Sequence, residues 1–140
     1  MVIIHIYLLF LLDYYGCFGR AISDDYAIIQ SEYLPCAFNA PLDRIHLQYL
    51  GPFGNHTPKD VMIYNNLTGM VTGHGDFAGR VNYIAKYAGD VGIEISPFHL
   101  SDKGIYHISI EFTDHSVLNC SAELLLAGKK LVKSFIVHYS

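Results

Sequence analysis

From Tyr26 onward the chain alternates short apolar runs with clusters of turn-forming residues. No stretch sustains apolar residues at i, i+3, i+4 and i+7, and no capping box opens one, so the pattern predicts strands rather than helices. The runs are rich in Ile, Val, Tyr and Phe, which suit a pleated, half-buried surface. Residues 44–50 alternate most cleanly: Ile45, Leu47 and Tyr49 fall on one side, His46 and Gln48 on the other. That is the signature of an antiparallel strand with one buried face. Further strands are expected at 26–29, 32–38, 61–64, 69–72, 80–86, 91–96, 105–112 and 118–126, separated by Gly-, Pro- and Asn-rich turns. In the last of them Leu118, Cys120, Ala122 and Leu124 alternate with Asn119, Ser121 and Glu123, which points Cys120 inward. The whole reads as an all-β antiparallel sandwich.

The amino-terminal stretch has a different pattern. Residues 2–12 are nearly continuous in apolar side chains until Asp13 interrupts them. The run is too short for a membrane-spanning helix, which needs about 20 residues. It fits the apolar core of a signal peptide, with Gly16, Cys17, Gly19 and Ala21 as the small residues of a cleavage zone and a cut between Gly19 and Ala21; the alternatives are an uncleaved anchor or a buried strand. The expected division is a signal peptide over 1–21, a domain over 22–128 and a short tail over 129–140. Neither the tail nor any other later segment has an apolar stretch of spanning length. Asn55-His56-Thr57 and Asn66-Leu67-Thr68 both match the acceptor pattern for N-glycosylation and fall on expected turns. Asn119-Cys120-Ser121 matches formally but lies beside an inward-facing residue.

Composition narrows the function classes. Half of the 140 residues are apolar and 16% are charged, so a substantial core is expected and long disorder is not. The net charge of −4 and the scattered Lys and Arg give nucleic acid no electrostatic footing. The eight His residues contain no H-x-x-x-H pair, so no metal and no cofactor is expected. His74-Gly75-Asp76 comes nearest to a reactive site, but solvated loop polarity explains it better. The reading is of a non-enzymatic protein.

Leu100-Ser101-Asp102-Lys103-Gly104-Ile105-Tyr106 carries an Asp-x-Gly-x-Tyr pattern that enters a strand. The pattern resembles the turn and strand F of immunoglobulin domains, where the Tyr forms a tyrosine corner. Leu34-Pro35-Cys36 resembles the strand-B Cys of the variable-type (V-set) domain. Phe77-Ala78-Gly79-Arg80-Val81 resembles its strand-D Arg, and Asp90-Val91-Gly92-Ile93-Glu94-Ile95 its strand E. The resemblance covers roughly residues 31–128 and is nearest to B7/butyrophilin-like cell-surface domains. It implies an ion pair between Arg80 and Asp102 at the base of the sandwich. Two hallmarks differ: Ile108 stands where strand F has its Cys, and Leu47 is the first candidate for the slot of the strand-C Trp, with Tyr49 the second. With the B–F disulfide absent, Cys36 and Cys120 are left either bonded between strands B and G, or as two buried thiols, or with Cys120 available for intermolecular pairing.

The resemblance also implies a docking surface on the sheet that contains strands G, F, C and C′. On it the sequence places His46 and Gln48, Met62 and Tyr64, and His107 and Ser109, with Glu111 a further candidate. Met62 and Tyr64 lead because aromatic residues and Met are enriched in interface cores. The expected protein is a secreted, glycosylated single domain that binds a cell-surface protein, as soluble ligand or decoy in immune recognition. The alternative is a homophilic adhesion module, a homodimer, or a truncated form of a membrane receptor.

Overall fold

The structure, a computed structural model, describes residues 16–21, 26–32, 40–85, 90–124, 132–134 and 138–139. In chain order the strands are β1 (Gly16–Ala21), β2 (Ala27–Glu32), β3 (Leu42–Tyr49), β4 (Lys59–Asn65), β5 (Met70–Gly73), β6 (Val81–Tyr83), β7 (Asp90–Ile95), β8 (Gly104–Phe112), β9 (Val117–Leu124), β10 (Val132–Ser134) and β11 (His138–Tyr139). Single turns of 3₁₀-helix at Gly75–Phe77 and Leu100–Asp102 are the only helical elements among the described residues. None of them is long enough to cross a membrane.

The strands form two antiparallel sheets, one of five strands in the order β10-β1-β2-β7-β6 and one of six in the order β11-β9-β8-β3-β4-β5. This is an all-β two-sheet sandwich, compatible with an immunoglobulin-like fold. The core lies between the sheets and follows period-2 alternation. On β8, Tyr106, Ile108, Ile110 and Phe112 are buried while Ile105, His107, Ser109 and Glu111 are half-buried on the other side. On β9, Leu118, Cys120, Ala122 and Leu124 face the core, as the sequence pattern predicts. Each fully buried aliphatic side chain contributes about 1.5–3 kcal/mol relative to an exposed one.

Leu47 and Ile108 stand opposite each other in the β3–β8 ladder, both completely buried. The two departures from the family pattern therefore sit side by side. Aliphatic packing fills that level of the six-stranded sheet.

The first two strands differ from expectation. The strand expected at 26–29 is the first half of β2, which starts at Ala27 and runs on to Glu32, and it is preceded by β1, inside the segment read as the end of a signal peptide. Ala27, Ile29 and Ser31 of β2 face the core, and β2 pairs with β1 on one side and β7 on the other. Gln30 and Ser31 interrupt its apolar character, which is why the sequence pattern ends the strand at Ile29. The expected strand at 32–38 begins at the last residue of β2, and residues 33–39, including Cys36, lie outside the described residues. So do residues 1–15, which hold most of the segment expected to be a signal peptide. Two strands the tail was not expected to contain, β10 and β11, add to β1 and β9 respectively.

Candidate functional site

The base of the sandwich is built first, because it fixes β8. Asp102 is 3% exposed and Arg80 8%, yet both are polar and fully engaged. Arg80 Nη1 donates to Asp102 Oδ2 at 2.7 Å and Nη2 to Asp102 Oδ1 at 3.2 Å, a two-pronged guanidinium–carboxylate contact. The same guanidinium donates to the carbonyls of Pro97 (2.7 Å) and Asp76 (2.9 Å), and its carbon lies 4.9 Å from the Phe77 ring centre. Asp102 also accepts the backbone N–H of His99 at 2.8 Å, closing the turn before β8.

The Tyr106 hydroxyl donates to the Asp102 carbonyl, which is the corner the motif implies. Burial, and after it the Asp102 charge, pushes the Tyr106 phenol far above the ordinary tyrosine range. Tyr49 braces the same turn by donating to the Lys103 carbonyl at 2.6 Å, and burial raises its phenol too. Gly104 allows the turn to close. Its φ is +147°, and a Cβ there would lie 2.9 Å from Pro52 Cα and closer still to the Gly51 carbonyl. This corner positions β8 and is structural.

The surface it positions is the outer side of the six-stranded sheet. His46 of β3 lies opposite Ser109 of β8, and Gln48 opposite His107, so four of the predicted docking residues meet in two rungs on one face, either side of the Leu47–Ile108 rung. All four are half-buried. Asp60 of β4, not anticipated from the sequence, completes the patch. His46 Nε2 approaches Asp60 Oδ1 at 2.7 Å, and Gln48 Nε2 donates to the same oxygen at 3.1 Å. The hydrogen bond from His46, then that from Gln48, holds the Asp60 carboxyl below the usual carboxylate range. Ile63 lies opposite His46 on β4 and supplies an apolar neighbour. Glu111 is half-buried on the same side of β8.

Met62 and Tyr64 do not belong to this surface. Met62 is completely buried, and it pairs with buried Leu47. The cause is a register shift in β3–β4 between Leu47 and Gln48, which leaves Val61 as an extra residue with Val61 and Met62 both inside. Beyond the bulge the alternation is reversed from the one the sequence suggested, so Tyr64 lies opposite buried Ile45. Its ring stacks on Tyr83 of the other sheet at 3.9 Å between centres, closing the sandwich at that edge. An acidic residue at the start of an otherwise apolar strand was the one available sign that Asp60, and not Met62, reaches the surface.

The remaining expected positions are placed as follows. Asn55 and Asn66 are both exposed. The Asn66 side chain is engaged locally, donating to the Leu42 carbonyl at 2.9 Å and accepting from the Tyr64 hydroxyl at 3.1 Å. Asn119 lies within β9, opposite Ser109. His74 and Asp76 do not pair: Asp76 contacts Lys59 Nζ at 3.3 Å, and His74 Nε2 is buried without a partner among the described residues. No group of three or more His, Cys, Asp or Glu is arranged to hold a metal among the described residues. Cys120 is inward and 3% exposed, whereas its expected partner Cys36 lies outside the described residues. No protein-family model matches the chain, and no curated protein matches it either.

Proposed function

We propose that the chain is a secreted, glycosylated immunoglobulin-type domain of the variable set. In this reading it binds a cell-surface protein as a soluble ligand or decoy that modulates immune recognition. The strand order supports the variable-set part: β9-β8-β3-β4-β5 corresponds to G-F-C-C′-C″, and β1-β2-β7-β6 to A-B-E-D. Export rests on the apolar leader and the acceptor sites Asn55 and Asn66.

The observation that carries the binding reading is the cluster of His46, Gln48 and Asp60 beside Ile63, His107 and Ser109. A charged group hydrogen-bonded within a pleated surface, with an aliphatic neighbour, can fix the register of a partner and exclude water from the contact. The partner is a folded protein surface, since the patch is flat sheet rather than a cleft.

The test is a screen of the purified domain against cell-surface ectodomains, repeated with Asp60→Ala and Ile63→Glu. Binding weakened tenfold or more by both, and unchanged by Asn82→Ala on the opposite sheet, supports the reading. A binder insensitive to both substitutions overturns it. Elution that shifts with concentration and is lost in Ile63→Glu identifies a second copy of the chain as the partner instead.

A further inference from the structure

We propose that Cys17 and Cys120 form an intramolecular disulfide that fastens β1 to β9, and that the exported chain retains Cys17. Cys120 is 3% exposed on the core side of β9, and its sulfur lies 3.7 Å from the Ser31 hydroxyl of β2. Ser31 is the residue directly opposite Cys17 in the β1–β2 ladder. Opposed residues of an antiparallel pair share a face and have Cα atoms about 4.5–5.5 Å apart. Cys17 therefore occupies the ladder position next to a residue whose side chain touches the Cys120 sulfur.

Gly19 gives independent support. Residues 17 and 19 share a face of β1 by the two-residue period. A Cβ on Gly19 would collide with the Glu123 carbonyl and stand 2.9 Å from Leu124 Cδ2. So β1 lies directly against β9 on that face, with no room for a side chain between the backbones at Gly19. Two residues back on β1 is Cys17, and three back from Glu123 on β9 is Cys120. A disulfide needs Cα atoms about 4.4–6.8 Å apart, a spacing that strands in such close contact provide. Cys36, by contrast, follows the end of β2 at Glu32.

The bond forms by exchange with the disulfide of an oxidised dithiol carrier. The Cys17 thiolate attacks one carrier sulfur and expels the other as a thiolate. The Cys120 thiolate then attacks Cys17 Sγ, and the carrier leaves as a dithiol having taken up two electrons and the two protons. Any leader cut must then precede Cys17 rather than fall between Gly19 and Ala21.

The test uses the full chain exported from cultured cells, alkylated without reduction, digested and mapped by mass spectrometry. The expected result is a Cys17–Cys120 linked peptide that persists in Cys36→Ser. Reduction should lower the melting temperature by roughly 8–20 °C, and Cys17→Ser should show the same loss with no further response to reductant. A Cys36–Cys120 peptide, alkylated Cys17 and Cys120, a reducible dimer, or an exported amino terminus beyond Cys17 would each overturn the proposal. If Cys17→Ser is not exported, the map of the unsubstituted chain decides.

Discussion

Replacing Arg80 by Ala leaves the Asp102 carboxylate buried without its counter-charge, and strands the Pro97 and Asp76 carbonyls as well. The expected loss is about 3–5 kcal/mol, read as a lower urea midpoint with unchanged slope. Arg80→Lys keeps the charge but cannot reach both carboxylate oxygens and two carbonyls from one nitrogen, so about 1–3 kcal/mol is expected. A double-mutant cycle with Asp102→Ala should show coupling of about 0.5–3 kcal/mol. Strictly additive losses would mean that the two residues act separately. Tyr106 answers to pH in a different direction. Its native phenol ionises far above the free value of about 10, so its contribution is complete below pH ~10 and declines as pH rises further, when only the unfolded chain ionises. One such group lowers stability by at most ~1.4 kcal/mol per pH unit. Tyr106→Phe should cost about 0.5–1.5 kcal/mol at neutral pH, through the lost hydrogen bond, yet show a shallower fall between pH 10 and 11. Equal slopes for the two proteins would refute this account.

Among the elements, β4 is where local pattern and tertiary structure part company. The bulge makes Met62 a core residue and Ile63 a surface one. Met62→Ala should therefore cost about 2–5 kcal/mol, while Ile63→Ala stays within about 0.5–1.5 kcal/mol. The reverse ranking in denaturant titrations would mean that β4 has the other register. Alternation alone cannot reveal such a bulge, since adding one residue to a strand moves every later side chain to the other side. Where no bulge intervenes the sequence is a good guide: Ile45, Leu47, Tyr106, Ile108 and Cys120 all lie on the predicted side. The Asp102–Gly104–Tyr106 corner was readable because it depends on residues close in sequence, with Arg80 supplied by the family pattern. The His46–Asp60 contact was not readable, because it depends on the pairing register of two strands. Nor was the full length of β2, whose inward Ser31 broke the apolar run and cut the expected strand short at Ile29.

At the scale of the whole molecule, the acceptor sites flank the outer sheet surface proposed for binding. Asn55 lies on the β3–β4 connection and Asn66 on the β4–β5 turn. Both should carry glycans in exported material, seen as two steps of mobility change on partial enzymatic deglycosylation. A single step that survives Asn55→Gln and is lost in Asn66→Gln would show that only the second site is used. A glycan joined to Asn66 Nδ2 leaves one N–H, which is enough to keep its bond to the Leu42 carbonyl.

The order β10-β1-β2 also bears on when the protein can assemble during its synthesis. β1 emerges from the ribosome before the other described strands and can meet β2 at once, but its other neighbours, β9 and β10, emerge only after β3 to β8. Contacts between β3, β4 and β5, or between β6 and β7, form within short loops and can be made early. Those that seal β1 must wait, and bringing together segments about a hundred residues apart is the slow part of folding a β-sandwich. Until then β1 leaves one row of backbone N–H and C=O groups unpaired, a strand edge open to the wrong neighbour. The nascent chain therefore depends on whatever shields that edge between the emergence of β2 and that of β10.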